Sequence, residues 1–231
     1  MLTTLEGYYL IVELFNFDAF ITILIVPAIV GYYWINSKIK RKDILFALFF
    51  CWIGNLFILF DLNASFQQWG VFSLWIMNLF FFIRFMDLNK MYFFREHILG
   101  LVFYFSYLIV FLNHVYSFLD DMKFHGIVYS FTSAIFGSFT LMLLLKNMNT
   151  TNFMFFLGLF LLSIKDVMLT YNKKFFEEDF FSSYIIILQI VGLFLLIRAF
   201  INFEDGNMKQ LVSNAKKYYK TKIESLLKRL V

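Results

Sequence analysis

The chain is poor in proline, glycine and charge. Its 231 residues include one Pro and 10 Gly, and only 16% of them are charged, whereas 61% are hydrophobic. A soluble domain of this length needs a polar exterior that so few charged residues cannot supply. Helix breakers are rare, and the apolar runs lack the period-two alternation of membrane barrel strands. The sequence therefore predicts an all-α, polytopic membrane protein.

Cysteine and the motifs of soluble enzymes are also scarce. Cys51 stands alone in the sequence, which excludes a disulfide within the chain. There is no GxSxG, no phosphate-binding glycine loop, no HExxH and no Cys/His cluster. We therefore expect neither a cofactor nor a metal. The chemistry that remains is acid–base work by carboxylate, amide and amine groups.

Long apolar runs take the place of these motifs. A membrane span needs roughly 20 residues to cross a hydrocarbon core of about 30 Å. Seven segments qualify: 17–36, 42–62, 68–87, 97–119, 124–146, 151–171 and 181–203. Residues 2–16 are apolar but short and contain Glu6 and Glu13, so they could form an eighth, tilted helix. The pattern predicts a bundle of seven to eight transmembrane helices over residues 1–203.

The distribution of basic residues predicts the orientation of this bundle. With seven spans, one side holds only three lysines outside the spans, Lys123, Lys173 and Lys174. The other side holds the basic loop 38–42, Lys146 and the basic tail. The positive-inside rule then places the C-terminus in the cytoplasm, and we expect a bacterial inner membrane. Arg84 and Arg198 lie near cytoplasmic span ends, where their side chains could snorkel to the surface.

The tail, residues 204–231, is predicted to be a separate cytoplasmic helix that is basic and amphipathic. Its apolar stripe consists of residues 208, 211, 212, 215, 219, 223, 226, 227 and 230. The opposite face is rich in lysine, which suits the anionic surface of an inner leaflet. Docking on a protein partner is the alternative. A nucleic-acid partner is not expected for a short segment of a membrane-bound chain.

Among the residues of the predicted spans, Asp166 has the highest free-energy cost of insertion into the membrane. A charged side chain near the centre of a span costs roughly 2.5–3.5 kcal/mol on insertion scales, so it faces the bundle interior. Asn55, Asn78 and Gln189 lie at similar depth in other spans and predict a polar pocket with Asp166. Lys165 and Asp166 could form a self-neutralising pair, but neighbours in a helix point about 100° apart, so each would more easily reach a residue on another helix.

Each of these residues also has a purely structural interpretation. An amide within a span is most often a contact between helices, worth about 0.6 kcal/mol on average. This interpretation is favoured for Asn55 and Gln189 taken singly. For Asp166 we favour a functional role, because burying a carboxylate in hydrocarbon costs more free energy than burying an amide does.

Three stretches carry a resemblance to a known family. They read FFCWIGNLFILFD around Asn55, WGVFSLWIMNLFFF around Asn78 and LGLFLLSIKDVMLTYNKKF around Asp166. Together with a looser fit near Gln189, they resemble the YhhN family of lysoplasmalogenase-like integral membrane proteins over about residues 20–200. The third stretch is the most specific of them.

The chain departs from the family pattern at several positions. Asn55 stands where the family has Asp, and Asn78 stands where it has His. Phe81 takes the place of a Tyr, and Lys165 that of a Ser. The resemblance implies hydrolysis of the vinyl-ether bond of lysoplasmalogens, which releases a fatty aldehyde. A buried carboxyl group, here Asp166, could be the acid of that reaction, with Asn55, Asn78, Lys165 and Gln189 lining the substrate pocket.

The departures keep other functions open. Asn55 cannot donate an acidic proton and Asn78 cannot act as a base, so the chain could be a non-catalytic lipid-binding or structural membrane subunit. A transporter or sensor is a third hypothesis, although the scarcity of charge, Pro and Gly within the spans argues against a transporter.

Overall fold

Six long helices form the part of the protein that the computed structural model describes, which comprises residues 17–60, 64–89, 123–175 and 183–206 and isolated helical positions between 102 and 113. No strand occurs within these ranges. The helices are α1 (Phe17–Asn36), α2 (Lys42–Phe60), α3 (Ala64–Asn89), α4 (Lys123–Lys146), α5 (Thr150–Phe175) and α6 (Ser183–Gly206).

The helices have the length and composition of membrane spans. Of the six, α2 to α6 are long and apolar enough to cross a membrane, and α1 contributes the shorter apolar stretch Phe20–Asn36. The all-α membrane fold is thereby confirmed, but the count of seven to eight spans is not. Residues 2–16 and all of the tail after Gly206 lie outside the described residues, as does most of the predicted span 97–119.

Aromatic rings fill the centre of the bundle. Phe155 of α5 packs edge-on against Phe85 of α3 and Phe200 of α6, with centroid separations of 5.2 and 4.9 Å. Phe81 of α3 stacks on Phe200, and Phe136 of α4 meets Phe85 at 5.4 Å. All five rings are buried. Four helices thus converge on one aromatic core, which fixes their depths relative to one another.

Paired glycines bring neighbouring helices into close contact. Gly54 of α2 faces Gly70 of α3, and Gly158 of α5 faces Gly192 of α6. A Cβ on Gly158 would lie 2.9 Å from the Gly192 carbonyl oxygen, so the two backbones touch at this point. Small residues are typical of helix crossings in membranes, where association depends on van der Waals contact.

The single proline creates a local defect that a second helix repairs. Pro27 lies inside α1 and has no N–H to donate to the carbonyl of Ile23, four residues earlier. The indole Nε1 of Trp52 on α2 donates to that carbonyl oxygen instead, at 3.0 Å. In hydrocarbon a carbonyl group without a donor costs free energy, so this bond both satisfies α1 and joins it to α2.

We expect Trp52→Phe to destabilise the protein by about 1 kcal/mol in addition to the free energy lost with the larger ring, because the Ile23 carbonyl loses its donor. In a Pro27→Ala background the Ala N–H bonds to Ile23, and the extra cost should vanish. Reversible unfolding of the four proteins of this double-mutant cycle in detergent measures the coupling. Equal effects of Trp52→Phe in both backgrounds would contradict the assignment.

A buried arginine joins three helices at the end of the bundle that carries the loop Ser37–Arg41. Arg84 of α3 is only 3% exposed. Its guanidinium lies 2.6 Å from Glu204 of α6, 2.7 Å from Asp87 and 3.5 Å from Asp43 of α2. The expectation that Arg84 snorkels to the surface is therefore wrong, because its side chain is buried against Glu204, which is itself only 6% exposed. Arg198 is exposed and donates to the Tyr32 hydroxyl at 2.7 Å.

Candidate polar site

Asp166 is held by donors from two helices. The Tyr129 hydroxyl of α4 donates a short hydrogen bond to Asp166 Oδ2. On the other side, Lys165 Nζ lies 2.5 Å from Asp166 Oδ1. The lysine side chain is 6% exposed and that of the aspartate 20%. Both carboxyl oxygens therefore accept, which is the arrangement of an ionised carboxylate.

The contact between Lys165 and Asp166 is the self-neutralising pair that the sequence left open, although helix geometry favoured contacts with other helices. Consecutive Cα–Cβ bonds do diverge on a helix, but the long and flexible lysine stem lets its ammonium group fold back to the neighbouring carboxylate. Burial makes this contact favourable, because hydrocarbon offers neither charge a partner. The pair is therefore a neutral unit inside the bundle, and Asp166 also contacts α4 through Tyr129.

Asn78 joins the same cluster through α4. Its amide Nδ2 donates to the Ser133 hydroxyl at 2.8 Å, and its side chain is buried. Asn78 and Ser133 both also lie within hydrogen-bonding reach of the Tyr129 hydroxyl. Tyr129 thus connects two residues that the sequence predicted to be close, Asn78 and Asp166.

Asn55 lies at the edge of this cluster. Its amide nitrogen is 3.9 Å from Cys51 Sγ, one turn earlier on α2, and both side chains are buried. Lys165 and Asp166 are close enough to Cys51 to act on it electrostatically. The hydrogen-bond partner of the Asn55 amide is therefore the thiol of its own helix.

Gln189 occupies the same half of the bundle on α6. It is buried, and its amide nitrogen has no hydrogen-bond partner among the residues that the structure describes. It lies one turn before Gly192, which contacts Leu162 of the antiparallel helix α5. That register sets Gln189 at about the depth of Leu162 and less than one further turn from Lys165.

Sequence reasoning missed Tyr129, although it is the centre of the cluster. The sequence of α4 does indicate a polar face, because the i, i+3, i+4 spacing of Tyr129, Thr132 and Ser133 places them on one side of the helix. Trp75 of α3 donates to Thr132 at 3.0 Å, so this face does meet the helix that carries Asn78.

The model of the YhhN family matches residues 17–200, which is most of the chain. The chain belongs to the YhhN family. Comparisons with curated proteins and with solved structures find no match.

Two of the four departures noted in the sequence, Lys165 and Asn78, belong to the Asp166 cluster. Lys165 pairs with the carboxylate itself, and Asn78 lies within reach of its tyrosine partner. Asn55 lies against Cys51 on α2, and Phe81 stacks on Phe200 in the aromatic core. An ammonium group and a phenol contact the Asp166 carboxylate.

Proposed function

We propose that this protein hydrolyses the vinyl-ether bond of lysoplasmalogens at Asp166. The observation that supports the proposal most strongly is a carboxylate inside a membrane helix that accepts from Tyr129 and Lys165. Family membership supports the same reaction class. A structural ion pair alone would not need a third polar helix, yet Asn78 and Ser133 bring further polar groups to the Tyr129 hydroxyl.

The arrangement supports a role for Asp166 other than that of proton donor. With donors on both oxygens, Asp166 is held as a carboxylate that has no proton to give, whereas the Lys165 ammonium has protons to give. In the proposed reaction the Lys165 ammonium protonates the vinyl carbon remote from the ether oxygen.

The remaining steps return the proton. The oxocarbenium ion that forms is attacked by water, and Asp166 takes the proton that this water loses. The resulting hemiacetal breaks its bond to the glycerol oxygen, and the hydroxyl proton moves to that leaving oxygen. A fatty aldehyde and a glycerophospho-alcohol result. Asp166 then passes its proton back to Lys165 across their direct contact of 2.5 Å.

A second candidate function is lipid binding without turnover. It is favoured by the partners of the two amides, because Asn78 is engaged with Ser133 and Asn55 with Cys51. Amides that bond within the bundle act as contacts between and within helices. On this alternative the cluster keeps the shape of a lipid site while the ion pair has only a structural role.

Aldehyde release by the purified protein in detergent decides between the two functions. With lysoplasmenyl lipids as substrates, we expect release by the native chain and a loss of about 10²- to 10⁴-fold in Asp166→Asn. Lys165→Arg keeps the ion pair but replaces the ammonium with a group that does not lose its proton, so it should lose a similar factor.

Asp205→Asn is the matched control for charge loss, because Asp205 pairs with Lys38 at the other end of the bundle. It should keep full activity. Release that persists in Asp166→Asn would remove Asp166 from the mechanism. No release from any lysoplasmenyl lipid, combined with retained lipid binding, would favour the non-catalytic function.

The orientation in the membrane is part of the proposal. We infer a cytoplasmic C-terminus in a bacterial inner membrane, with the basic tail on anionic lipid or on a protein partner. The bundle end with the basic loop Ser37–Arg41 then faces the cytoplasm, and the Asp166 cluster lies in the half of the membrane away from it.

A further inference from the structure

Lys165 is the one lysine that is buried among the residues that the structure describes. It is 5% exposed, whereas the other described lysines are exposed or partly exposed. It lies within Thr150–Leu169, the part of α5 that is long and apolar enough to cross a membrane. Its primary amine is therefore placed to meet molecules dissolved in lipid. Because Lys165 stands where the YhhN pattern has a Ser, this amine is a feature of the present chain.

Asp166 gives this amine an acid–base partner. Lys165 Nζ lies 2.5 Å from Asp166 Oδ1, so a proton can pass between them directly. The aspartate side chain is 20% exposed and the lysine side chain 6%, so the carboxylate lies on the more open side of the pair. Rotation within the flexible lysine stem moves Nζ toward that side without any movement of α5. A buried amine beside a proton acceptor is the setting in which lysines form Schiff bases with carbonyl compounds.

The proposed reaction produces an aldehyde beside this amine. Once Lys165 has protonated the vinyl carbon and Asp166 has accepted the proton from water, the pair consists of a neutral amine and a neutral carboxyl group. The fatty aldehyde forms while the pair is in this state. A neutral amine is a nucleophile, and an aldehyde carbon is its usual electrophile. Attack of the amine on the aldehyde therefore competes with the return of the proton to Lys165.

We propose that Lys165 binds long-chain aldehydes covalently, as a Schiff base that forms and breaks reversibly beside Asp166. The proposal rests on the proposed function for the source of the aldehyde. Nζ adds to the carbonyl carbon, and the Asp166 carboxyl proton moves to the carbonyl oxygen. The carboxylate then transfers one proton from the nitrogen to the new hydroxyl group, which leaves as water. The iminium nitrogen that remains keeps one proton and its positive charge opposite Asp166.

The surroundings of the pair favour this adduct over the free aldehyde. An iminium group replaces an ammonium group beside the same carboxylate, so no charge is left without a partner in hydrocarbon. Hydrocarbon also holds little of the water that reverses the reaction. While the adduct persists, Lys165 cannot protonate another vinyl ether. The aldehyde therefore inhibits its own formation until it is hydrolysed from Lys165.

Added hexadecanal tests the covalent site without any need for turnover. The full chain in detergent is incubated with one equivalent of hexadecanal and with cyanoborohydride, which reduces a Schiff base to a stable secondary amine. We expect the intact mass to rise by one hexadecyl group in place of one hydrogen, and peptide mapping to locate that group on Lys165. Lys165→Arg keeps the positive charge but removes the amine, so the label at this position should be lost.

Lys38 is the matched control within the native chain. It also pairs with an aspartate, Asp205 at 3.2 Å, but its side chain is 61% exposed. Hexadecanal should label Lys165 in preference to Lys38, whereas propanal, which is soluble in water, should label Lys38 in preference. Equal labelling of the two lysines by hexadecanal would overturn the proposal, and this comparison needs no variant to fold.

The source of the aldehyde separates this proposal from the proposed function. With lysoplasmenyl lipid in place of hexadecanal, cyanoborohydride should trap the same adduct on Lys165 and stop aldehyde release. Aldehyde release that leaves no trapped adduct would overturn the covalent site and keep the proposed function. Labelling of Lys165 by hexadecanal without any aldehyde release from the lipid would refute the proposed function and leave the aldehyde site in place.

Discussion

Arg84→Met is expected to lower the free energy of unfolding by about 3–5 kcal/mol, the range found when one partner of a buried ion pair is removed. The guanidinium contacts Glu204, whose side chain is only 6% exposed, and it also pairs with Asp43 and Asp87. Methionine fills much of the volume but leaves the buried Glu204 carboxylate without the guanidinium that contacts it at 2.6 Å. Thermal and denaturant-induced unfolding in detergent measure the loss.

Arg198→Met provides the matched comparison for the loss of a guanidinium. Arg198 is exposed and donates a hydrogen bond to the Tyr32 hydroxyl. Its removal should therefore lower the free energy of unfolding by less than about 1 kcal/mol. Glu204→Gln in the Arg84→Met background should restore part of the lost stability, because it removes the most deeply buried carboxylate. If the two arginine variants unfolded alike, the buried network would not stabilise the bundle.

Gly158→Ala is expected to destabilise the bundle by about 1–3 kcal/mol. The added Cβ would lie 2.9 Å from both the Gly192 carbonyl oxygen and the Leu196 amide nitrogen. Both atoms belong to the backbone of α6, so no side-chain rotation relieves the clash and the two helices must separate. Because Gln189 and Lys165 lie near this crossing, aldehyde release should fall as well.

Gly31→Ala is the control for the intrinsic effect of the substitution. Gly31 lies inside α1, and a Cβ there would meet nothing within 4 Å. Alanine favours the helix over glycine by about 0.5–1 kcal/mol, so this variant should unfold at a higher temperature than the native chain. If both variants raised the unfolding temperature, α5 and α6 would cross less closely than the 2.9 Å contact at Gly158 indicates.

The helices could be predicted because hydrocarbon demands a minimum apolar length. The predicted spans 42–62 and 124–146 end within two residues of α2 and α4. Agreement is poorer for α3, which begins at Ala64 rather than at residue 68. Gln67 and Gln68 lower the apolar character of its first turn without interrupting the helix, so hydropathy locates the membrane core better than it locates the helix end.

The contacts of the site were harder to predict than its depth. Sequence placed Asn78 and Asp166 at a similar level, but the partner that joins them, Tyr129, depends on how α4 is rotated about its axis. The contact of Lys165 with Asp166 depends on side-chain flexibility rather than on helical spacing. Likewise, the bond from Arg84 to Glu204 joins residues 120 positions apart, and no local pattern encodes it.

That separation has a consequence for the order of assembly. The translocon receives α3 long before Glu204 is synthesised, so Arg84 enters the bilayer without its closest partner. Asp43 on the preceding span and Asp87 on the next turn of α3 are already present, at 3.5 and 2.7 Å in the finished bundle. These two carboxylates can act as temporary counterions during biogenesis, and Glu204 then secures α6 as it docks. Loss of Asp43 would thus impair insertion more than it impairs the folded protein.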